Sequence, residues 1–389
     1  MTDEEDACVR KSAKRKTDHG RTNAHGFIAN RSIAIRRTRM TRDDIKRIDP
    51  KGMYNWIADF PQQIEEAVRI GKEVKIKFKV KGVQNIVLTG LGGSAIGGDL
   101  LRSYLSEELD VPFSVNRYYT LPEFVGKNTL VIVSSYSGNT EETISAHKDA
   151  MKRKARILCI STGGEIANTA KKFKQPWIQI PPGLSPRAAL GYSFFPLLVI
   201  LGRLEFIKSK DKDIKETVQL LKNKSVSFSN PESPENAPLK LAERIKGKLP
   251  VIYSPVEHLD TVNIRWRGQI AENAKQLSSG NVLPEMNHNE LVGWKVLTEI
   301  MKQMHVIFLK DIGTHKRVAI RERITKQIVS QYAGEVTEVS SDGKGLLARL
   351  FSLIYFGDWV TLYLAILNNV DPEPVAIIDY LKNELSKVK

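Results

Sequence analysis

Short apolar runs and helix-length amphipathic stretches alternate along most of this chain. Ile86-Val-Leu-Thr89, Phe113 to Tyr118, Leu130 to Val133, Arg156-Ile-Leu-Cys-Ile160 and Trp177 to Ile180 read as strands bounded by polar turn residues. Helical patterns fall between them, at Ser94 to Leu105 and Glu141 to Lys154, and an apolar helix follows at Phe194 to Phe206. Strand and helix in turn predict a parallel sheet covered on both faces. The alternation restarts at Val251-Ile-Tyr253, with a helix from about Asp260, a strand Val306 to Leu309, a helix near Arg321 to Tyr332 and a strand around Glu335 to Val339. The expected fold is therefore α/β, with two doubly wound, flavodoxin-like parallel sheets in tandem. Between the two units, residues 207–238 are rich in Lys, Ser, Asn and Pro, and are expected to form a linker. The resulting boundaries are 1–44 for a disordered basic extension, 45–206 for the first domain and 239–389 for the second with its C-terminal helix.

Leu346 to Leu367 is the most hydrophobic window, long enough to span a bilayer. It carries Arg349 and, near its middle, Asp358, so a buried helix fits better and no membrane association is expected. At 389 residues, two domains are the natural count; 41% hydrophobic and 26% charged is ordinary for a folded chain. The formal net charge is +15, and residues 1–39 hold ten Lys or Arg against five Asp or Glu. This tail runs from an acidic start into Arg10-Lys-Ser-Ala-Lys-Arg-Lys16, with no apolar core for a targeting signal. Such a charge run is ordinarily a solvated segment, so nucleic acid is a minor alternative as partner. Cys8 and Cys159 are too far apart in character and position for a disulfide framework, in keeping with a reducing cytoplasm, and the seven histidines show no metal-ligand spacing. No metal and no cofactor are expected.

The chemistry concentrates at strand ends. Ser134-Ser-Tyr-Ser-Gly-Asn-Thr-Glu-Glu-Thr143 follows a buried strand and opens a helix. Its hydroxyls at Ser135, Ser137 and Thr140, beside the unpaired N–H groups of a first helical turn, make a pocket for an oxyanion such as phosphate. The preceding strand ends in Thr89-Gly-Leu-Gly-Gly-Ser-Ala-Ile-Gly-Gly98, placing Gly92, Gly93 and Ser94 at a second strand-to-helix turn. Gly90, Gly92 and Ala95 also fit a dinucleotide fingerprint. The next strand, however, ends at Arg117 where an acidic residue would hold the ribose, so an oxidoreductase is a weak alternative. Two such loops after consecutive strands would face one crevice. Ser161-Thr-Gly-Gly164 and Ser185-Pro-Arg-Ala-Ala189 follow, with Arg187 a candidate to neutralise an anion.

Taken together, these four motifs resemble sugar isomerase domains, and more narrowly the bifunctional phosphoglucose/phosphomannose isomerase family. Arg267-Gly-Gln-Ile-Ala-Glu-Asn-Ala-Lys275, Leu283-Pro-Glu-Met-Asn-His-Asn289, Asn369-Val-Asp-Pro372 and Asp379-Tyr-Leu-Lys382 continue the resemblance in order, over about residues 45 to 389. It implies an aldose–ketose isomerase acting on glucose 6-phosphate, fructose 6-phosphate and mannose 6-phosphate, working as a homodimer. Glu272 matches the family base that moves a proton between C1 and C2. Arg187 matches the arginine that stabilises enediolate charge, and His288 and Lys382 match the groups that open the sugar ring. Read alone, Glu272 is an i to i+3 partner of Lys275 on an exposed helix, His288 a hydrogen-bonded loop histidine and Lys382 a solvated helix charge. Val375 departs from the pattern, because relatives carry a threonine seven residues before the lysine, implicated in accepting both C2 epimers. A non-catalytic sugar-phosphate sensor would share the loops and have no need of Glu272, His288 and Lys382.

Overall fold

A computed structural model describes residues 40–76 and 80–388. The basic tail with its expected disorder, and Cys8 within it, lie outside the described residues. The fold begins earlier than residue 45. Met40 is buried, and Thr41 caps α1 (Arg42–Ile48) through a reciprocal pair with Asp44. Two more helices follow, α2 (Met53–Ala58) and α3 (Phe60–Glu73).

The first sheet unit is β1 (Asn85–Thr89), α4 (Gly92–Tyr104), β2 (Phe113–Asn116), β3 (Thr129–Ser134), α5 (Glu141–Lys152), β4 (Arg156–Ser161), α6 (Gly164–Lys172) and β5 (Trp177–Gln179). A single 3-10 turn at Pro186–Ala188 leads into α7 (Leu190–Arg203). Then come α8 (Asp211–Phe228) and α9 (Ala237–Ile245). The second unit is β6 (Leu249–Pro255), α10 (Asp260–Ala274), β7 (Ser279–Leu283), α11 (Thr298–Met301), β8 (Met304–Lys310), α12 (Lys316–Val329), β9 (Glu335–Ser340), α13 (Leu346–Leu367) and α14 (Ala376–Ser386).

Both sheets are wholly parallel, in the orders β2-β1-β3-β4-β5 and β7-β6-β8-β9. Strand order reverses beside β1 in one and beside β6 in the other, and ligands of open α/β sheets bind outside such switch points. The continuous apolar runs of β1, β3 and β4 are buried because helices cover both faces.

The expected linker is wrong for most of its length. Asp211–Phe228 is an eighteen-residue helix, and Ile214, Thr217, Val218 and Leu221 recur at helical spacing on its buried face. Its Lys, Asn and Ser content lies on the solvent side, which hides the period. The true loop is Asn230–Asn236, closed by buried Asn236, which accepts from Leu239 N and caps α9. β7, Ser-Gly-Asn-Val-Leu, is a strand that the apolar pattern does not mark: it lies at the sheet edge, pairs only with β6 and needs no apolar run.

Helix α13 is apolar on every side because α8, α9 and α10 surround it. Its long hydrophobic window is a core helix, so it supplies no surface to a subunit interface. The largest hydrophobic cluster runs from α3 and α7 through α13 to α10, and a smaller one lies on the other face of each sheet.

On α12, Glu322 is 4% exposed and its Oε1 has no hydrogen-bond partner. Burial pushes its carboxyl up to about 7 from the ordinary 4.5, against the pull of Lys310 and Lys326 and with the help of Glu338. A raised folded value means that the native state holds the proton more tightly. This stabilisation is complete below 4.5 and is lost as pH rises through 7. Glu322→Gln, which cannot ionise, is expected to exceed the parent in stability by about 1–3 kcal/mol at pH 8 and to match it at pH 4, read by urea unfolding at both.

Candidate active site

The first two loops meet at the switch point of the first sheet. Gly92 turns the chain into α4 with φ +50°. A Cβ on Gly93 would stand 2.5 Å from Pro186 O, so the glycine loop and the Ser185–Arg187 turn touch backbone to backbone. Ser94 Oγ accepts from Tyr136 N at 3.0 Å and ties this loop to the next. There, buried Ser135 shares a hydrogen bond with Thr140 Oγ1 at 3.0 Å and accepts from Gly138 N, while Ser137 Oγ accepts from Asn139 N. Ser137 and Gly92 are the exposed members. Gly93→Ala is expected to force the two loops apart, weakening sugar-phosphate affinity and costing about 1–3 kcal/mol of stability, measurable by calorimetry and thermal unfolding.

Arg187 joins these loops to the second half of the chain. It is 5% exposed. Its Nε donates to Asn273 Oδ1 at 2.7 Å, and its Nη2 donates to Pro372 O at 2.6 Å and to Glu373 O at 2.7 Å. Only Nη1 remains for Glu272, whose Oε2 lies 3.5 Å away. Burial lowers the Arg187 pKa, opposed by Glu272, Glu373 and Asp371, and a guanidinium so flanked stays charged. Glu272, in the last turn of α10, keeps its side chain 35% exposed.

Beneath this pair runs a buried polar ladder that sequence reasoning missed. Arg265, Gln269 and Asn273 follow one another at i, i+4 and i+8 on α10, all buried. Arg265 forms a two-pronged ion pair with Asp358 of α13 at 2.8 and 2.9 Å and also donates to Arg187 O. Gln269 donates to Asp358 Oδ1, and Asn273 donates to Thr361 Oγ1. The spacing of three polar residues on one face of a helix was the available signal, and charge in the middle of α13 was the other.

Among the described residues, the remaining candidates make no bond to this pair. His288 is exposed at the end of a 3-10 turn (Glu285–His288), while its neighbours are fastened: Asn287 donates to Thr325 Oγ1 at 2.8 Å, and Glu290 binds Tyr253 OH and Asn281 Nδ2. Lys382 is exposed on α14, a helix with no buried residue. Among the described residues, no hydrogen bond or ion pair links either group to Arg187 or Glu272. Val375 takes the N-cap position of α14, where it offers no side-chain cap. At the end of β2, Arg117 is paired with Asp99. No cluster of three or more His, Cys, Asp or Glu able to hold a metal occurs among the described residues.

Solved structures share this architecture. A hypothetical protein of Thermus thermophilus superposes with TM-score 0.67 at 16% identity, over 90% of this chain and 94% of that one. The C-terminal domain of glucosamine-fructose-6-phosphate aminotransferase from Francisella tularensis gives TM-score 0.64 at 14% identity, over 83% and 98%. The protein thus has the fold of these structures, an α/β class of tandem parallel sheets. Residues 234–385 match the family described as bacterial phospho-glucose isomerase C-terminal SIS domain. The bifunctional phosphoglucose/phosphomannose isomerase of Caldicellulosiruptor bescii is 45% identical over 87% of this chain and the whole of its own length. The corresponding enzyme of Aquifex aeolicus is 35% identical over 78% of this chain and 91% of its own. The chain belongs to the bifunctional phosphoglucose/phosphomannose isomerase family.

Proposed function

We propose that this protein interconverts glucose 6-phosphate and fructose 6-phosphate, and takes mannose 6-phosphate as a further substrate, through an enediolate formed by Glu272. The observation that carries this reading is the use of the Arg187 guanidinium: its Nε and Nη2 are taken up by Asn273, Pro372 and Glu373, and Nη1 points toward a half-open carboxylate. A fixed positive group in a water-poor site, beside a base able to reach two adjacent carbons, suits transfer of a proton between C2 and C1. The hydroxyl loops hold the phosphate at the other end of the sugar, with Ser135, Ser137 and Thr140 on one side and Gly92, Gly93 and Ser94 on the other. Ring opening falls to His288 and Lys382.

A second copy of the chain would complete the site around those two groups. Val292, Val296, Leu297 and Ile300 near His288 are 52–80% exposed, and Ile377, Tyr380 and Leu381 near Lys382 are 57–86% exposed. Apolar surface of this kind fits a homodimer whose active site lies close to the subunit interface. Sedimentation equilibrium is expected to give twice the chain mass, and a monomer would overturn the dimer.

The function is tested by assaying the full chain with glucose 6-phosphate and mannose 6-phosphate side by side, with and without a chelator. Turnover unchanged by the chelator is expected. Clear binding of fructose 6-phosphate with no turnover would favour a sensor. Val375 brings no hydroxyl to the start of α14, so the ratio of the two activities measures how far acceptance of the C2 epimer depends on that group.

A further inference from the structure

Lys275 follows Glu272 by three residues, the spacing of a helical ion pair, yet its ammonium does not go to that carboxylate. Nζ donates instead to Glu272 O at 2.6 Å and to Pro372 O at 3.1 Å. The cause is the backbone: Lys275 ends α10 in the left-handed conformation, φ 54°, ψ 33°, with its own N–H on Ile270 O. That turn directs the side chain back over the last turn of its helix. A lysine pays a steric cost there that glycine or asparagine would not.

Pro372 O is the same oxygen that accepts from Arg187 Nη2. Three segments far apart in the chain therefore close on one carbonyl: the Ser185–Arg187 turn, the end of α10 and the segment leading to α14. We propose that Lys275 is a positioning residue for the isomerase reaction, a clasp that locks the helix carrying Glu272 to the C-terminal segment and leaves the Glu272 carboxylate unclaimed by a lysine. The inference rests on Glu272 being the base. An ammonium on the carboxylate itself would occupy the lone pairs that a base must use, whereas one on the main chain fixes the position and spares the chemistry. Lys275 is exposed along its stem, and partial burial of the ammonium together with the neighbouring Arg187 lowers its pKa, with Asp371, Glu272 and Glu373 opposing.

The test is Lys275→Asn in the full chain, since asparagine accepts the left-handed backbone and removes the ammonium without straining the turn. With glucose 6-phosphate, kcat is expected to fall by about 10- to 100-fold, the scale of a misplaced catalytic group. KM and the affinity for sorbitol 6-phosphate, which has the phosphate and no carbonyl, should stay within about twofold of the parent by the same reasoning, because the phosphate loops are untouched. Lys275→Arg, which can still donate to two carbonyls, should recover most of the loss. Lys275→Gly serves in place of the asparagine variant if the latter does not fold. A kcat equal to that of the parent in the asparagine or glycine variant overturns the clasp. If Glu272→Gln is inactive while Lys275→Asn is fully active, only this inference fails. If Glu272→Gln is active, the base assignment falls and the clasp with it.

Discussion

Glu272→Gln is expected to abolish measurable isomerisation while sugar-phosphate binding stays close to that of the parent. Glutamine keeps the length and shape of the side chain and can still accept from Arg187 Nη1, but it cannot take a proton from carbon. A positioned general base contributes about 10²–10⁴-fold, and among the described residues no other carboxylate is bonded to Arg187 through its side chain; the Arg187 contacts with Pro372 and Glu373 are to main-chain oxygens. The loops proposed to hold the phosphate follow β1 and β3, outside α10, so calorimetric titration with fructose 6-phosphate should show little change. Exchange of the C2 proton with solvent gives a second readout, and it should vanish together with turnover. Near-normal activity would sink the assignment of Glu272 as base.

Asp358→Ala is expected to be the most damaging single change to stability, at about 3–5 kcal/mol. Arg265 and Asp358 have side chains only 4% and 9% exposed, so removing the carboxylate strands a charged guanidinium in the core and deprives Gln269 of its acceptor. The midpoint of urea unfolding should drop accordingly. Asp358→Asn keeps acceptor geometry without the charge and should lose less. The double change Arg265→Met with Asp358→Leu should be milder than Asp358→Ala alone, because it removes both charges and refills the space. A double variant as damaged as the single one would show that packing, not the stranded charge, sets the cost. The same substitution should depress activity, since Arg265 also holds Arg187 O at 3.2 Å.

Local patterns are enough for what is decided locally. The Val, Ile and Leu runs of β1, β3, β4, β6 and β8 identify strands buried on both faces, and hydroxyl and glycine residues at their ends mark where a sheet of this kind accepts a ligand. Arg349 and Asp358 within the apolar stretch Leu346–Leu367 already point to a buried helix rather than a membrane span. Where local composition conflicts with packing, the reading fails. The amphipathic face of α8 is hidden among lysines and serines, and β7 is held by pairing with β6 rather than by its own residues.

The site divides in the same way. The motifs around Ser135 and Gly92 lie within single loops and can be recognised there. Arg187 takes its partners from positions 85 to 186 residues away, and its direction is set by Asn273, Pro372 and Glu373 together. Spacing pairs Lys275 with the Glu272 side chain; the left-handed end of α10 sends it to the main chain instead. Short-range hydrogen bonding and hydrophobic period are written in neighbouring residues, so most of the succession of strands and helices, the parallel α/β class and the hydroxyl- and glycine-rich turns at the strand ends could be known from the chain alone. The direction of a buried charge depends on which distant backbone oxygens surround it, and those come together only when α10, α13 and the C-terminal segment pack around Arg187.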